Sequence, residues 1–145
     1  MMTTDHSTEP QSIAAIHSYH AHVYFDPATT RGQAEAVRQG IAARFLVQLG
    51  RWHDVLVGPH TRAMYQVAFM LDVFPRLVPW LMLNRRGLAV LVHPNTDDTY
   101  ADHVTHALWL GEILPLKVAG LPRSLRDFGE TPASVVPNTA PHLPA

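Results

Sequence analysis

Residues 19–25 have the sequence Tyr19-His20-Ala21-His22-Val23-Tyr24-Phe25. Aromatic and β-branched residues favour a β-strand, and successive side chains of a strand point to opposite faces. Ala21, Val23 and Phe25 therefore form an apolar face, which we expect to point into a core. The same alternation places His20 and His22 together on the other face, one pleat apart, as two ligands of one metal ion would lie.

The hydrophobic pattern on both sides of this stretch predicts an α+β fold. Strands are predicted at residues 16–25, 52–57, 64–71 and 88–92, and helices at residues 34–49 and 76–84. This order, β-α-β-β-α-β, is typical of the ferredoxin-like arrangement, in which two helices cover one face of a four-stranded antiparallel sheet. An extra C-terminal helix is predicted at residues 99–110. We expect His20 and His22 on the open face of the sheet.

Composition predicts one globular domain with extensions at both ends. A chain of 145 residues with 47% hydrophobic content can bury a core of its own. We expect residues 1–14 to form a flexible N-terminal extension, residues 15–121 to form the domain, and residues 122–145 to form a proline-rich tail.

Charge and hydropathy exclude several classes of partner. The formal net charge is −1, and no basic stripe is present, which makes nucleic acid an improbable ligand. The first residues lack the pattern of a signal peptide, and the longest apolar run, Leu77 to Leu83, is too short to cross a bilayer. We therefore expect a soluble, cytoplasmic protein without a membrane partner.

The chain has ten histidines and no cysteine, so any metal site must use nitrogen and oxygen ligands. Thiolate zinc sites, iron–sulfur clusters and disulfides are excluded. Imidazole suits Fe, Zn, Cu and Ni, and histidine sites with open positions are typical of non-haem Fe(II) oxygen chemistry.

Four motifs in this order resemble the DOPA 4,5-dioxygenase family of bacteria and fungi. They are residues 19–25; Gly58-Pro59-His60 with Met64-Tyr65-Gln66-Val67; Asn84-Arg85 with Val90-Leu91-Val92-His93-Pro94; and Asp102-His103 with Ala107-Leu108-Trp109-Leu110-Gly111. The resemblance covers residues 16–120. It implies a small ferredoxin-like protein that cleaves a catechol ring by the extradiol route with non-haem iron and O₂.

A catechol that binds iron through both oxygens leaves room for only about three protein ligands. We predict His20, His22 and His93 as these ligands and Fe(II) as the metal, with Mn(II) or Zn as alternatives. His60 is predicted to be the catalytic acid/base that takes a catechol proton, because a neutral imidazole can do so at physiological pH. An exchange of the roles of His60 and His93 stays open.

Other assignments also stay open from the sequence. One of the carboxylates Asp98, Asp102 and Glu112 could replace a histidine ligand. His103 and His106 lie three residues apart on the predicted helix, where packing or supporting roles are favoured over ligation. The open sheet face predicts a homodimer with sites near its interface. The competing functional hypothesis is a non-catalytic dimeric module that binds a small aromatic molecule or a metal.

Overall fold

The fold is a five-stranded antiparallel sheet with helices packed on it. The structure is a computed structural model, and it describes residues 8–145. The strands are β1 (Ser18–Phe25), β2 (Gln48–Leu49), β3 (Ala63–Phe69), β4 (Val90–Asn95) and β5 (Leu108–Leu110), and the helices are α1 (Arg31–Arg44), α2 (Phe74–Asn84) and α3 (Thr99–His103). The strand order is β2-β3-β1-β4-β5. The α+β class is therefore confirmed. Residues 1–7 of the predicted N-terminal extension lie outside the described residues.

Both faces of β1 are largely buried, and its predicted alternation is confirmed by the two different clusters that its apolar side chains join. Ala21, Val23 and Phe25 belong to the main core, together with residues of β3, β4, α1 and α2. Because this core contains side chains from both α1 and α2, the two helices cover the same face of the sheet. His20, His22 and Tyr24 point to the opposite face, which we call the histidine face.

The sheet has five strands rather than the predicted four, because the predicted helix at residues 99–110 is two elements. α3 ends at His103, and Leu108–Leu110 pairs with β4 as β5. Asp98 caps the start of α3 by accepting a hydrogen bond from the amide of Ala101. The apolar residues that follow form their backbone hydrogen bonds by pairing with the buried strand β4, so tertiary pairing overrides the local helical pattern.

The predicted strand at residues 52–57 is wrong. The second strand is the short β2, and residues 52–57 form a loop that touches β3 through a single bridge between His53 and Met64. α1 also stops earlier than predicted, at Arg44 instead of Leu49. Phe45 and Val47 are buried while Leu46 is 54% exposed, which is the alternation of an extended chain.

Two further boundaries differ from the predictions. α2 begins at Phe74 rather than near Arg76, so Pro79 lies inside the helix instead of in its first turn. β4 continues through residues 93–95, so His93 lies within the strand and not after it.

The histidine face is largely covered by the chain itself, whereas the sequence predicted an open face. A second apolar cluster packs there around Tyr24, Leu91 and Leu114, with partly buried Val57 and Leu116 at its edge. The covering residues come from the loop before β3 and the segment after β5. Four histidines of the described part of the chain, His22, His60, His93 and His103, are buried.

The proline-rich tail has little regular structure but is fastened to the domain. The Asn138 side chain accepts a hydrogen bond from the Leu49 amide (2.8 Å) and donates one to the Leu49 carbonyl (2.9 Å). It therefore pairs with the outer edge of β2 much as a neighbouring strand would. In the part of the chain that the structure describes, no helix has the length and apolar content needed to span a bilayer.

Candidate metal centre

Strand register brings three of the predicted histidines together. His93 of β4 lies directly opposite His20 of β1, and both project from the histidine face. His22 lies two residues along β1 on the same face. Candidate ligand nitrogens of these three residues all lie within 4.8 Å of one another, so the group can hold a metal ion. We call it the histidine triad.

Two members of the triad are almost completely buried. His22 is 2% exposed and His93 is 1% exposed, and their Nε2 atoms lie 3.0 Å apart. His20 is only partly buried and forms the accessible side of the triad. A ligand would therefore approach past His20 toward the His22–His93 pair.

Hydrogen bonding fixes the proton of His93. Its Nδ1 lies 2.8 Å from the Pro94 carbonyl oxygen, which can only accept, so Nδ1 carries the hydrogen and Nε2 carries a lone pair. That lone pair faces His22 Nε2.

His22 is left with an unsatisfied atom, since its buried Nδ1 has no hydrogen-bond partner. If Nδ1 carries the ring hydrogen, the two Nε2 lone pairs face each other at 3.0 Å, an arrangement that a cation between them stabilises. Two nitrogens at right angles and about 2.1 Å from a metal lie about 3.0 Å apart, so the spacing fits two adjacent ligands of one ion. The residues present therefore fit a metal.

His60 lies beside the triad, in the turn that leads toward β3. It is 4% exposed, and its ring centre lies 4.1 Å from that of His22. Its Nδ1 lies 2.7 Å from the Tyr24 hydroxyl oxygen. A bridge between His60 and Leu116 holds the turn against the covering segment after β5. The structure thus places the predicted acid/base next to the predicted ligands.

His103 is a fifth histidine at this site, where the sequence favoured only a packing or supporting role. It ends α3, is 8% exposed, and has its ring centre 4.0 Å from that of His93. Its Nδ1 lies 2.8 Å from the Thr99 carbonyl oxygen. His106, predicted to share its helix, lies beyond the end of α3 and borders a cavity of about 320 Å³ that His93 also lines. The two histidines therefore do not share a helix, although the sequence predicted one that contains both.

The five clustered imidazoles are held neutral. Burial, followed by the nearby His103, lowers the pKa of His20 and of His60 to about 4. The pKa values of His22 and His93 lie well below the usual 6.5, first because of burial and then because of the neighbouring histidines. Burial also lowers the pKa of His103. At neutral pH the cluster therefore offers nitrogen lone pairs, the form that metals bind.

The candidate carboxylate ligands are engaged elsewhere. Asp102 is buried but accepts hydrogen bonds from the Thr96 amide (2.9 Å) and hydroxyl (2.6 Å), while Asp98 caps α3 and pairs with Arg123. Glu112 is exposed and pairs with Arg62. Among residues 8–145, the group able to hold a metal contains histidines only.

Comparison with known proteins identifies relatives of this chain. The family model described as "Dopa 4,5-dioxygenase family" matches residues 19–119. A DOPA 4,5-dioxygenase of Amanita muscaria is 30% identical in an alignment of 131 residues that covers 83% of this chain and 58% of the relative. An uncharacterized 21.2 kDa protein of Botryotinia fuckeliana is 38% identical in an alignment of 81 residues that covers 50% of this chain and 44% of the relative. The chain thus spans about half the length of these curated relatives.

A solved structure is similar in both sequence and fold. The crystal structure of a candidate dioxygenase from Nostoc punctiforme has 53% sequence identity and a TM-score of 0.73. The match covers 75% of this chain and 94% of that chain.

Proposed function

Because this chain belongs to the Dopa 4,5-dioxygenase family, we propose that it is an extradiol dioxygenase that cleaves a catechol such as DOPA, at its 4,5 bond, with a non-haem metal and O₂. In such a reaction both atoms of O₂ enter the product and a ring C–C bond beside the diol breaks. The observation that carries the proposal is the histidine triad, with its two buried Nε2 atoms 3.0 Å apart.

His20, His22 and His93 are the proposed metal ligands, and Fe(II) is the proposed metal. When bound, a non-haem iron supplies the redox and Lewis-acid chemistry that the reaction of a catechol with O₂ requires. The three neutral imidazoles, on adjacent strands of one sheet face, would hold such an ion. The apolar cluster on the same sheet face would limit the access of bulk water to a substrate bound there.

Proton transfer from the catechol is assigned to the histidines beside the triad. The sequence pointed to His60, which lies 4.1 Å from His22 between ring centres. The ring centre of His103 lies 4.0 Å from that of His93, and His103 is a second candidate for this proton transfer. Both rings are neutral at physiological pH and can exchange protons with substrate.

The test is oxygen consumption by metal-loaded protein. The full chain is loaded anaerobically with Fe(II), Mn(II) or Zn(II), and O₂ is admitted with members of a catechol panel that includes DOPA. We expect O₂ uptake and a yellow product with Fe(II). His22→Ala should abolish both metal retention and turnover, whereas His106→Ala, a control at an exposed histidine, should change neither.

The competing hypothesis of a non-catalytic binding module makes a different prediction. It requires tight zinc retention or thermal stabilisation by a small aromatic molecule, without O₂ uptake by any metal-loaded form. That result across the whole panel would rule out the dioxygenase.

A further inference from the structure

Two histidines flank the triad, and each has one ring nitrogen committed to a partner outside it. His60 Nδ1 contacts the Tyr24 hydroxyl, and His103 Nδ1 contacts the Thr99 carbonyl. The two ring centres lie 6.4 Å apart. Each ring therefore has only Nε2 left for a molecule bound at the triad. Whether that Nε2 carries a hydrogen or a lone pair depends on the outer partner.

The Tyr24 hydroxyl donates to His60. Tyr24 is 2% exposed, and within the described residues its hydroxyl has His60 Nδ1, at 2.7 Å, as its hydrogen-bond partner. If the ring donated instead, the buried phenolic hydrogen would have no acceptor, which costs far more than the bond returns. Nδ1 is therefore the acceptor. A neutral His60 then carries its hydrogen on Nε2 and can donate a hydrogen bond from that atom.

His103 has the opposite form. The Thr99 carbonyl oxygen, 2.8 Å from Nδ1, can only accept, so Nδ1 carries the hydrogen and Nε2 carries a lone pair. Nε2 of His103 is thus the ring atom that can accept a proton.

We propose that the two histidines have opposite roles: His103 Nε2 accepts the proton of a catechol hydroxyl, and His60, positioned by Tyr24, donates a hydrogen bond from Nε2–H to the resulting catecholate oxygen. In the transfer the catechol O–H bond breaks, its electron pair stays on oxygen, and an N–H bond forms on His103. This inference rests on the proposed function. It moves the proton-accepting role predicted for His60 onto His103.

The tautomers can be measured without turnover. The 145-residue chain with ¹⁵N-labelled histidine, metal-free and loaded with diamagnetic Zn(II), is examined by long-range ¹H–¹⁵N correlation. We expect the Nε2–H form for His60 and the Nδ1–H form for His103. The opposite form at either ring would overturn the proposal.

Tyr24→Phe tests the positioning role and has a matched control. Without the hydroxyl, His60 should change from one tautomer to a mixture of both, while His103 keeps its form. Tyr65→Phe removes an equally buried hydroxyl, which donates to the Ala34 carbonyl on the core side of the sheet. It should leave both tautomers unchanged. An unaltered His60 spectrum in Tyr24→Phe would exclude Tyr24 as the positioning residue.

Turnover by Fe(II)-loaded protein separates the two roles. His103→Gln should lower kcat for unsubstituted catechol about 100-fold. The loss should be much smaller for a nitro-substituted catechol, whose hydroxyl is already ionised near neutral pH. His60→Gln should impair both substrates alike. The reverse pattern would refute the assignment of the two roles. A wild-type protein that turns over no catechol would refute the proposed function. The tautomers are tested independently by the NMR spectra.

Discussion

Nitrogen lone pairs, not charges, are the groups that the cluster makes available at neutral pH. An unfolded histidine titrates near pH 6.5, whereas burial holds the pKa of His20 and of His60 at about 4 in the folded chain. Folding thus keeps these rings in the form that a metal requires. The same arrangement makes the metal-free protein sensitive to acid.

We predict that metal-free protein loses stability as the pH falls from 6.5 toward 4. In this window the unfolded chain binds protons that the folded chain does not, so the free energy of unfolding decreases with decreasing pH. Above about pH 7 both states leave the rings neutral and stability is fully retained. Urea unfolding midpoints of EDTA-treated protein at pH 7.5 and 5.5 measure the effect.

His60→Gln should reduce the slope of the free energy of unfolding against pH. The reduction is at most about 1.4 kcal/mol per pH unit, the contribution of one titrating group. His106→Gln, which removes an exposed histidine outside the cluster, is the matched control. Equal midpoints at the two pH values would contradict the prediction.

Whether a site residue could be predicted from the sequence depends on how distant in the chain its contacts are. The shared face of His20 and His22 follows from local alternation alone. His93 joins them through the pairing of two strands, which the predicted fold already contained. His103 could not be assigned, because its approach to His93 depends on where α3 ends. The local hydrophobic pattern predicted a helix that continues beyond His103.

The contact between the two large helices depends on a residue without a side chain. A β-carbon at Gly40 of α1 would lie 2.7 Å from the Trp80 ring of α2, nearer than real contacts allow. The Trp80 ring also packs on Phe45, which limits its freedom to move. Gly40 therefore sets how closely α1 and α2 approach.

We predict that Gly40→Ala destabilises the protein by about 1–3 kcal/mol, the usual cost of overpacking. Gly32→Ala is the matched control in the same helix, since a β-carbon there has no neighbour within 4 Å. It should be neutral or stabilise by up to about 1 kcal/mol through helix propensity and reduced freedom of the unfolded chain. Chemical denaturation of both variants gives the comparison. Equal effects would mean that Trp80 moves aside freely.

Sequence patterns predicted the long elements better than the short ones. β1, β3, α1 and α2 are strongly periodic and lie near their predicted positions. β2 and β5, with two and three residues, are too short for a period to be recognised. Each is formed by pairing with a neighbouring strand, and β2 is also held by Asn138 from the distant tail.

At the scale of the whole molecule, the covering of the histidine face changes the argument for a homodimer. The sequence predicted that a second copy covers an open sheet face, but Tyr24 and Leu91 are buried by the chain's own loops. Apolar exposure is instead found on these loops: Val55 and Ile113 are each 73% exposed, and Leu56 is 55% exposed. Leu56 and Glu112, next to Ile113, border the same cavity of about 610 Å³, so the two loops are neighbours.

We predict that the protein is a homodimer whose contact lies on these loops, beside the metal centre. A second copy of a chain often buries exposed apolar side chains of this kind. A glutamate introduced at position 113, within this contact, would lose its solvation there without a partner charge. Ile113→Glu should therefore yield monomers in sedimentation velocity. Leu83→Glu, at an 86% exposed leucine of α2, should remain dimeric. A wild-type monomer at high micromolar concentration would refute the dimer, and dissociation by Leu83→Glu alone would place the contact on α2.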